Sequence, residues 1–218
     1  MDDERGLVLE RVRIALGDRE LVAVSARVGR GETLTVMGPS GSGKSTLLAY
    51  LGGFLDPAFN ASGAVRVDGV DLTALEAEQR RAGILFQDPL LFPHLSVADN
   101  IAIAIPQAVR GRSKRRDLAE AALDDVGLAG YGDSDPDTLS GGQKARVALQ
   151  RVLLSQPRLL LLDEPFSKLD AGLREQTRQM VFAKAREAGL PVVLVTHDEA
   201  DAEAAAGSVH KVGDHEQD

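Results

Sequence analysis

The sequence predicts an α/β fold, because a short apolar strand, a glycine-rich loop and an apolar helix follow one another near the N-terminus. The strand covers residues 34–37, the loop reads G-P-S-G-S-G-K-S-T over residues 38–46, and the helix continues through residues 47–51. Two later all-apolar runs, 159–162 and 192–195, have the length and composition of buried parallel strands. Strands that alternate with helices in this way predict a parallel sheet.

The loop at residues 38–46 has the spacing Gly-x-x-x-x-Gly-Lys-Ser of a phosphate-binding loop. Its glycines let backbone N–H groups point inward, and the following helix adds unpaired N–H groups at its N-terminus. Lys44 is expected to reach the β- and γ-phosphates of a nucleotide, and the Ser45 hydroxyl to bind Mg²⁺. A glycine-rich turn that only caps a helix is the alternative, and the flanking strand and helix argue against it. The predicted binding residues are Gly38, Pro39, Ser40, Gly41, Ser42, Gly43, Lys44, Ser45 and Thr46.

The composition is that of a soluble globular protein with one domain. The 218 residues are 44% hydrophobic and 27% charged, and the formal net charge of -8 argues against a general nucleic-acid binder. There is no cysteine, which excludes disulfides and cysteine-based metal sites. No signal-peptide core is expected at the acidic N-terminus, and no apolar run approaches the roughly 20 residues that cross a bilayer. A membrane span is therefore expected only from a partner.

The remaining elements are predicted in chain order from periodicity and turn residues. The first half reads as strands, at 7–16, its returning partner 21–28, 63–67 and 82–86. The second half is dominated by segments with helical apolar spacing, which are expected at 97–105, 114–126, 141–154 and 171–188, with Ser96 as an N-cap. The tail after residue 206 is expected to be short and polar.

The apolar strand at 159–162 ends in Asp163, Glu164 and Pro165. A carboxylate at the carboxyl end of a buried strand lies where nucleotides bind in open α/β sheets, and can hold Mg²⁺ there through water. Glu164 is the natural candidate to polarise an attacking water, since phosphoryl transfer needs mainly positioning and charge neutralisation. A strand followed by an acidic helix cap is the alternative.

The stretch L-S-G-G-Q at residues 139–143 predicts a second anion-binding helix end. Ser140 is a favourable N-cap, and Gly141 with Gly142 leaves the first helical N–H groups uncovered. An ordinary capped helix would explain Ser140 but not the glycine pair. Gln143 completes the stretch.

Together these motifs resemble those of the ATP-binding subunits of ABC transporters, and the resemblance covers nearly the whole chain. Residues 38–46 match the Walker A motif, 139–143 the signature, and Asp163 with Glu164 the Walker B motif. Three single residues complete the family order, namely Gln87 as the Q-loop glutamine, Asp170 in the D-loop and His197 as the switch histidine.

The resemblance implies a P-loop NTPase fold of the ABC ATPase type. Such a fold has a RecA-like core, an N-terminal antiparallel β subdomain and an inserted α-helical subdomain. We expect a single ABC ATPase domain over 1–218, with residues 1–87 and 141–218 in the nucleotide-binding core. Residues 88–140 would then form the helical subdomain that includes the signature region.

The resemblance also implies a mechanism of ATP hydrolysis. Two copies would dimerise head to tail, with each ATP between the Walker A motif of one copy and the signature of the other, and with Asp170 also at the nucleotide. Glu164 would act as general base, and His197 would bridge the γ-phosphate and the water. Gln87 would connect Mg²⁺ to the helical region, so that the implied metal ligands are Ser45, Gln87 and Asp163.

The similarity is greatest to short importer subunits of the group that serves thiamine, iron and polyamines. It implies an ATPase subunit on the cytoplasmic face of the inner membrane, peripheral to transmembrane permease subunits that it contacts through residues 87–97. A solute-binding protein would belong to the same complex, and no nucleic acid would. Two alternatives remain open, the ATPase of an exporter or lipoprotein-releasing complex and a soluble ABC protein that acts on DNA or ribosomes.

The chain departs from the family pattern at two residues. Leu16 stands where relatives carry an aromatic ring that stacks on adenine, which predicts weaker or less base-selective nucleotide binding. Lys168 places a long cation in the D-loop, where small residues are common. A C-terminal regulatory extension of the kind found in some importer ATPases is not expected.

Overall fold

The structure, a computed structural model, describes residues 5–213, which divide into two compact units. The first unit contains the chain up to Ile84, the segment Arg158–Glu164 and the chain from Phe182 onward. The second contains Leu85–Pro157 and Pro165–Val181. Across residues 5–213 no helix combines the length and the apolar character that crossing a membrane requires.

The described elements follow in chain order, with one additional 3-10 turn at Pro136–Thr138. They are β1 (Leu7–Leu16), β2 (Arg19–Val28), β3 (Thr33–Met37), α1 (Lys44–Gly52), β4 (Phe59–Val67), β5 (Val70–Asp71), α2 (Ala77–Arg80), β6 (Ala82–Leu85), α3 (Val97–Ala102), α4 (Arg112–Asp124), α5 (Gly141–Leu154), β7 (Leu159–Asp163), α6 (Ala171–Glu187), β8 (Val192–Thr196), α7 (Glu199–Ala205) and β9 (Ser208–Lys211).

An antiparallel sheet has the strand order β2-β1-β4-β5. β1 pairs with β2 from Leu7 opposite Val28 to Leu16 opposite Arg19, which confirms the predicted return of the chain after residue 16. β4 begins four residues before the predicted strand at 63–67, because Phe59 pairs with Leu16 and the ladder extends along the whole of β1. Alternate residues of β1 point into the core of the first unit and the others remain accessible, as expected of a sheet with one covered face.

A second sheet of five strands has the order β6-β7-β8-β3-β9. The pairs β7–β8, β8–β3 and β3–β9 are all parallel, so their carboxyl ends lie at the same edge. All five residues of β8 and the first four of β7 are buried, which agrees with the continuous apolar runs seen in the sequence. The α/β class with one antiparallel and one parallel sheet is thus confirmed, and three segments that carry motif residues begin at the same sheet edge.

Buried Arg80 stabilises the C-terminal end of α1, the helix that follows the glycine-rich loop. Its guanidinium donates to the carbonyl oxygens of Tyr50 at 2.6 Å and Leu51 at 3.3 Å, and also to the carbonyls of Leu75 and Thr73. A helix leaves its last carbonyls without intrahelical partners, and a cation there also interacts favourably with the helix dipole. This side chain therefore anchors α1 at the end opposite the loop.

The second unit has its own apolar core, formed where α3, α4 and α5 meet. Its fully buried members include Val97 and Ile101 of α3, Leu123 of α4 and Val147 of α5. The spacing of these residues within each helix is the three-to-four-residue period that the sequence showed.

Two predicted elements differ from the structure. The helix expected at 97–105 ends at Ala102, because the Arg115 guanidinium takes the carbonyl oxygens of Ala102, Ile105, Pro106 and Val109. The tail after residue 206, predicted only to be short and polar, contains a strand that the sequence did not predict, since Ser208–Lys211 forms β9 beside β3. Backbone hydrogen bonds, which polar residues make as well as apolar ones, account for this strand.

Candidate active site

The glycine-rich loop leaves the buried strand β3 and ends at α1, as the sequence predicts. Two of its glycines are required by the geometry. A Cβ on Gly38 would lie 2.3 Å from the carbonyl oxygen of Val212. Gly43 has φ 92°, in the left-handed region, and a Cβ there would lie 2.9 Å from the Val22 side chain. Any other residue at either position would displace the loop from its support.

Lys44 is the first residue of α1 and is 6% exposed. Its Nζ donates to the carbonyl oxygens of Gly38 at 2.8 Å and of Pro39 at 2.9 Å, so the ammonium group is held over the loop. Pro39, Ser40 and Gly41 are exposed, whereas Ser42 and Gly43 are buried beneath them. The Lys44 ammonium group is thus held against the loop backbone, and residues 39–41 of the loop are open to solvent.

Ser45 and Asp163 form the second element of the site. The Ser45 hydroxyl lies 3.1 Å from Asp163 Oδ1, across the edge between α1 and the end of β7. Burial raises the pKa of Asp163, and the charge of Glu164 adds to this, while the Ser45 hydrogen bond and the charge of Lys44 act in the opposite direction. A hydroxyl and a carboxylate at this separation are hard oxygen donors of the kind that Mg²⁺ prefers.

The protein donor set is small, as Mg²⁺ sites with a nucleotide require. No group of three or more His, Asp or Glu side chains that could hold a metal ion occurs within residues 5–213. Mg²⁺ in nucleotide sites is held by one or two protein ligands, with water and phosphate oxygens completing the octahedron. Ser45 and Asp163 therefore fit a Mg²⁺ ion that arrives with a nucleotide.

Glu164 and His197 are in direct contact, a relation that the sequence did not predict. His197 Nδ1 lies 3.1 Å from Glu164 Oε1. The Glu164 backbone has φ 46°, a left-handed value that non-glycine residues adopt rarely, and its N–H donates to the carbonyl of Val195 at 2.9 Å. Unusual backbone geometry of this kind is concentrated at functional sites.

The first unit thus brings together the loop residues 38–46, Asp163, Glu164 and His197. All of them lie at the carboxyl ends of β3, β7 and β8 or directly after them, where open α/β sheets bind ligands. In chemical terms, the site offers backbone donors, one ammonium group, a hydroxyl–carboxylate pair and a carboxylate next to an imidazole.

The remaining predicted site residues lie in the second unit. Ser140 caps α5 in a capping box, in which Gln143 N–H donates to Ser140 Oγ at 3.3 Å and Ser140 N–H to Gln143 Oε1 at 2.8 Å. A Cβ on Gly141 would lie 3.3 Å from the Leu169 side chain, and one on Gly142 would lie 3.4 Å from Leu173. The glycine pair therefore also allows the first turn of α5 to pack closely against these leucines.

Asp170 and Gln87 also belong to the second unit. Asp170 Oδ1 accepts the N–H of Leu173 at 3.1 Å, at the start of α6, and Gln87 is exposed. Sequence reasoning missed the ion pair between Lys168, two residues before Asp170, and Asp88, the residue after Gln87. The two charges are 80 residues apart in the chain, so no local pattern could have indicated their contact.

Comparison with known proteins supports the same interpretation of the site. The sequence profile described as "ABC transporter" matches residues 21–167. The chain is 46% identical over 193 residues to the uncharacterized ABC transporter ATP-binding protein YnjD of Escherichia coli K12, a match that covers 88% of each protein. It is 42% identical over 216 residues to the thiamine import ATP-binding protein ThiQ of Vibrio parahaemolyticus, covering 95% of this chain and 91% of that protein.

Two further relatives extend the comparison. The spermidine/putrescine import ATP-binding protein PotA of Pseudomonas aeruginosa is 46% identical over 179 residues, and this chain spans about half of its length, 48%. A solved structure, the dimer of the ATP-binding cassette MJ0796 in a post-hydrolysis state with ADP and Pi, is 30% identical. It superimposes with a TM-score of 0.77 over 95% of this chain and 94% of that one. The predicted P-loop NTPase fold of the ABC ATPase type is confirmed, and the chain belongs to the ABC transporter family.

Proposed function

We propose that this protein is the ATP-binding and ATP-hydrolysing subunit that energises a bacterial ABC importer. The observation that carries the proposal is the 3.1 Å contact between His197 and Glu164, next to the phosphate-binding loop in the same unit. A loop alone would support nucleotide binding, whereas a carboxylate paired with an imidazole at the same sheet edge supports hydrolysis of the bound nucleotide. The importer assignment is supported by relatives whose names describe import of thiamine, polyamines and iron.

The loop residues 38–46 bind the phosphates of ATP through backbone N–H groups and the Lys44 ammonium. Ser45 and Asp163 would hold Mg²⁺, and Gln87 is proposed as a further ligand. When bound, Mg²⁺ neutralises charge on the phosphates. Asp163 is suited to bind a metal ion, because burial disfavours its ionised carboxylate and a neighbouring cation would offset that cost.

Glu164 acts as the general base. It accepts a proton from the attacking water as an oxygen–phosphorus bond forms to the γ-phosphorus and the bond to the β–γ bridging oxygen breaks. His197 holds Glu164 in place through Nδ1 and contacts the γ-phosphate and the water. The backbone bond from Glu164 to Val195 fixes the carboxylate beside β8, so that base and imidazole are positioned by adjacent strands.

A second copy of the chain completes each site. The ordered N-terminal turn of α5, with Ser140, Gly141, Gly142 and Gln143, presents N–H groups to the γ-phosphate of the ATP bound by the other copy. Asp170 lies near the same nucleotide. A two-fold dimer gives two equivalent sites, and support comes from the dimeric state of the MJ0796 cassette with ADP and Pi.

Residues 87–97 contact the transmembrane permease subunits. Leu90 and Phe92 are 58% and 41% exposed, although both are large and apolar. The backbone of this segment is nevertheless held by hydrogen bonds from two side chains. Buried Asn100 accepts the N–H of Phe92 at 2.7 Å and donates to three carbonyl oxygens within residues 92–96. Arg151 donates to the carbonyl oxygens of Pro89 and Leu90. A preformed apolar surface is typical of a docking site. The subunit is accordingly peripheral, on the cytoplasmic face of the inner membrane, and a solute-binding protein completes the complex.

The decisive experiment uses Glu164→Gln, which keeps the shape of the side chain and removes its basicity. We expect ATP hydrolysis to fall about 100-fold or more, the range in which general bases contribute, while ATP binding is retained. With hydrolysis blocked, the ATP-bound dimer accumulates and is measured by size-exclusion chromatography with ATP. Glu187→Gln, an exposed glutamate at the end of α6, is the matched control. Normal turnover by the Glu164 variant would remove Glu164 as the base.

A further inference from the structure

His197 is itself weakly supported, because its side chain is 63% exposed. An exposed ring owes its position to the backbone that carries it. That backbone is the turn from Thr196, the last residue of β8, through His197 to Asp198, the N-cap of α7. The feature that fixes this turn therefore also fixes the distance from the imidazole to Glu164.

The turn is held by a chain of hydrogen bonds that ends on a buried carboxylate. The N–H of Asp198 donates to Thr196 Oγ1 at 3.0 Å, and the Thr196 hydroxyl donates to Asp201 Oδ2, also at 3.0 Å. The hydroxyl thus accepts one hydrogen bond and donates another, which a threonine side chain can do at the same time.

Burial makes these bonds strong compared with similar bonds at the surface. Thr196 is 1% exposed and Asp201 is 3% exposed. A hydrogen bond in a poorly solvated site is stronger than the same bond in water. Asp198 adds a further restraint, because its Oδ1 accepts the N–H of Ala200 at 2.8 Å and caps α7.

We infer that Asp201, acting through the Thr196 hydroxyl, is a positioning residue that holds His197 against Glu164. It contacts neither the nucleotide nor the reacting water. Its effect is to tie the turn that carries His197 to the first residues of α7, while the bond from Glu164 N–H to Val195 O ties Glu164 to the same strand. The inference rests on the proposed role of His197 in hydrolysis.

The test compares two substitutions of one side chain. Thr196→Val keeps the shape and removes the hydroxyl, whereas Thr196→Ser keeps the hydroxyl. We expect T196V to lower kcat for ATP hydrolysis by about tenfold, as displacement of a catalytic group typically does, with KM for ATP changed less than about twofold. T196S restores kcat to within about threefold of the wild type. D201A, which removes the acceptor of the Thr196 hydroxyl, is the second variant and is expected to lower kcat in the same way as T196V.

A control in a second background separates this role from a general loss of structure. In the His197→Ala background, T196V should cause no further loss of kcat, because the side chain that it positions is absent. An additional loss there, or equal kcat in T196V and T196S, would overturn the inference.

A measurement that does not depend on ATP hydrolysis distinguishes failure of this inference from failure of the proposed function. The ring signals of His197 in an NMR spectrum are assigned by their loss in H197A. We expect these signals to shift in T196V and D201A and to stay in place in T196S. If H197A hydrolyses ATP normally, the proposed role of His197 fails, yet shifted ring signals still support the positioning by Asp201. Unchanged signals in T196V would overturn it.

Discussion

Ser45 Oγ and Asp163 Oδ1 lie 3.1 Å apart, although 118 residues separate them in the chain. This bond joins the first turn of α1 to the end of β7, so two of the three predicted Mg²⁺ ligands are adjacent. The position of Asp163 nevertheless has an electrostatic cost, because burial and the neighbouring charge of Glu164 raise its pKa, although the Ser45 hydrogen bond acts in the opposite direction. Function and stability are therefore opposed at this residue.

Asp163→Asn should stabilise the free protein at neutral pH and abolish Mg²⁺-dependent ATP hydrolysis. A carboxyl group whose pKa is raised in the folded state lowers the stability as the pH rises from the usual value of 3.8 through the raised pKa. Above that range the full penalty is present, and below 3.8 it vanishes. We therefore expect the Tm of D163N to exceed that of the wild type at pH 7, and the difference to shrink as the pH falls toward 4.

Asp124→Asn, an exposed carboxylate at the end of α4, is the matched control for the change of charge. Thermal unfolding without nucleotide at pH 7 and pH 5 measures the effect. If D163N melted below the wild type at pH 7, the Ser45 hydrogen bond would outweigh burial, contrary to the direction of the pKa.

Lys44→Ala should weaken ATP binding itself. A charge-assisted hydrogen bond to an anion contributes about 1.5–3 kcal/mol, so loss of the ammonium predicts a Kd about 10- to 100-fold higher. The fold should persist in K44A. Lys44 Nζ donates to the carbonyl oxygen of Pro39, and Pro39 is exposed, so water can replace this hydrogen bond in the variant.

Isothermal titration calorimetry with ATP measures the Kd of K44A and of the wild type. Lys114→Ala, an exposed lysine of α4, removes the same charge away from the loop and should leave the Kd unchanged. Equal affinities of K44A and the wild type would show that the loop backbone alone binds the phosphates.

Local patterns in the sequence were sufficient for the parts of the site that are contiguous in the chain. The loop at 38–46 carries its own conformational requirements, and an apolar run that ends in Asp163 indicates a strand edge without reference to any other segment. Parallel strands then place their carboxyl ends together, so Asp163, Glu164 and the residues after β8 could be expected at one edge.

Contacts between distant segments were not predictable in this way. The pairing of Glu164 with His197 and the bonds of Thr196 to Asp198 and Asp201 depend on side-chain directions at the ends of two strands. β9 was missed because its polar residues gave no apolar signal, and the early end of α3 depends on Arg115, which approaches from the next helix. In each case a hydrogen bond between segments that are not adjacent in a periodic pattern determines the local structure, and such bonds leave no repeat in the sequence.

The Lys168–Asp88 ion pair should contribute little to the free energy of unfolding. Both side chains are more than half exposed, at 51% and 62%, and exposed pairs typically contribute about 0.2–1 kcal/mol. We expect K168A and D88A each to lower the free energy of unfolding by less than about 1 kcal/mol, and the charge-reversed double variant K168D/D88K to recover most of the loss. Urea denaturation of the wild type, K168A, D88A and K168A/D88A forms a double-mutant cycle, and K168D/D88K is measured beside it.

Leu16 should make nucleotide binding weakly selective for the base. It ends β1, is 48% exposed and lies opposite Phe59 and Arg19 in the sheet. The resemblance to ABC ATPases predicts an adenine-stacking aromatic ring at this position, where this chain carries an aliphatic side chain. Stacking of a base on an aromatic ring contributes about 1–3 kcal/mol, and its loss predicts similar affinities for ATP and GTP.

Leu16→Tyr is the substitution that tests this reasoning. The ring gains an adenine to stack on, and we expect ATP affinity to rise by about tenfold, with a smaller change for the affinity of inorganic triphosphate, which has no base. Leu16→Ala serves as the control, since it shortens the side chain without adding a ring. Tight binding of ATP by the wild type with strong preference over GTP would contradict the prediction, because another residue would then have to recognise adenine.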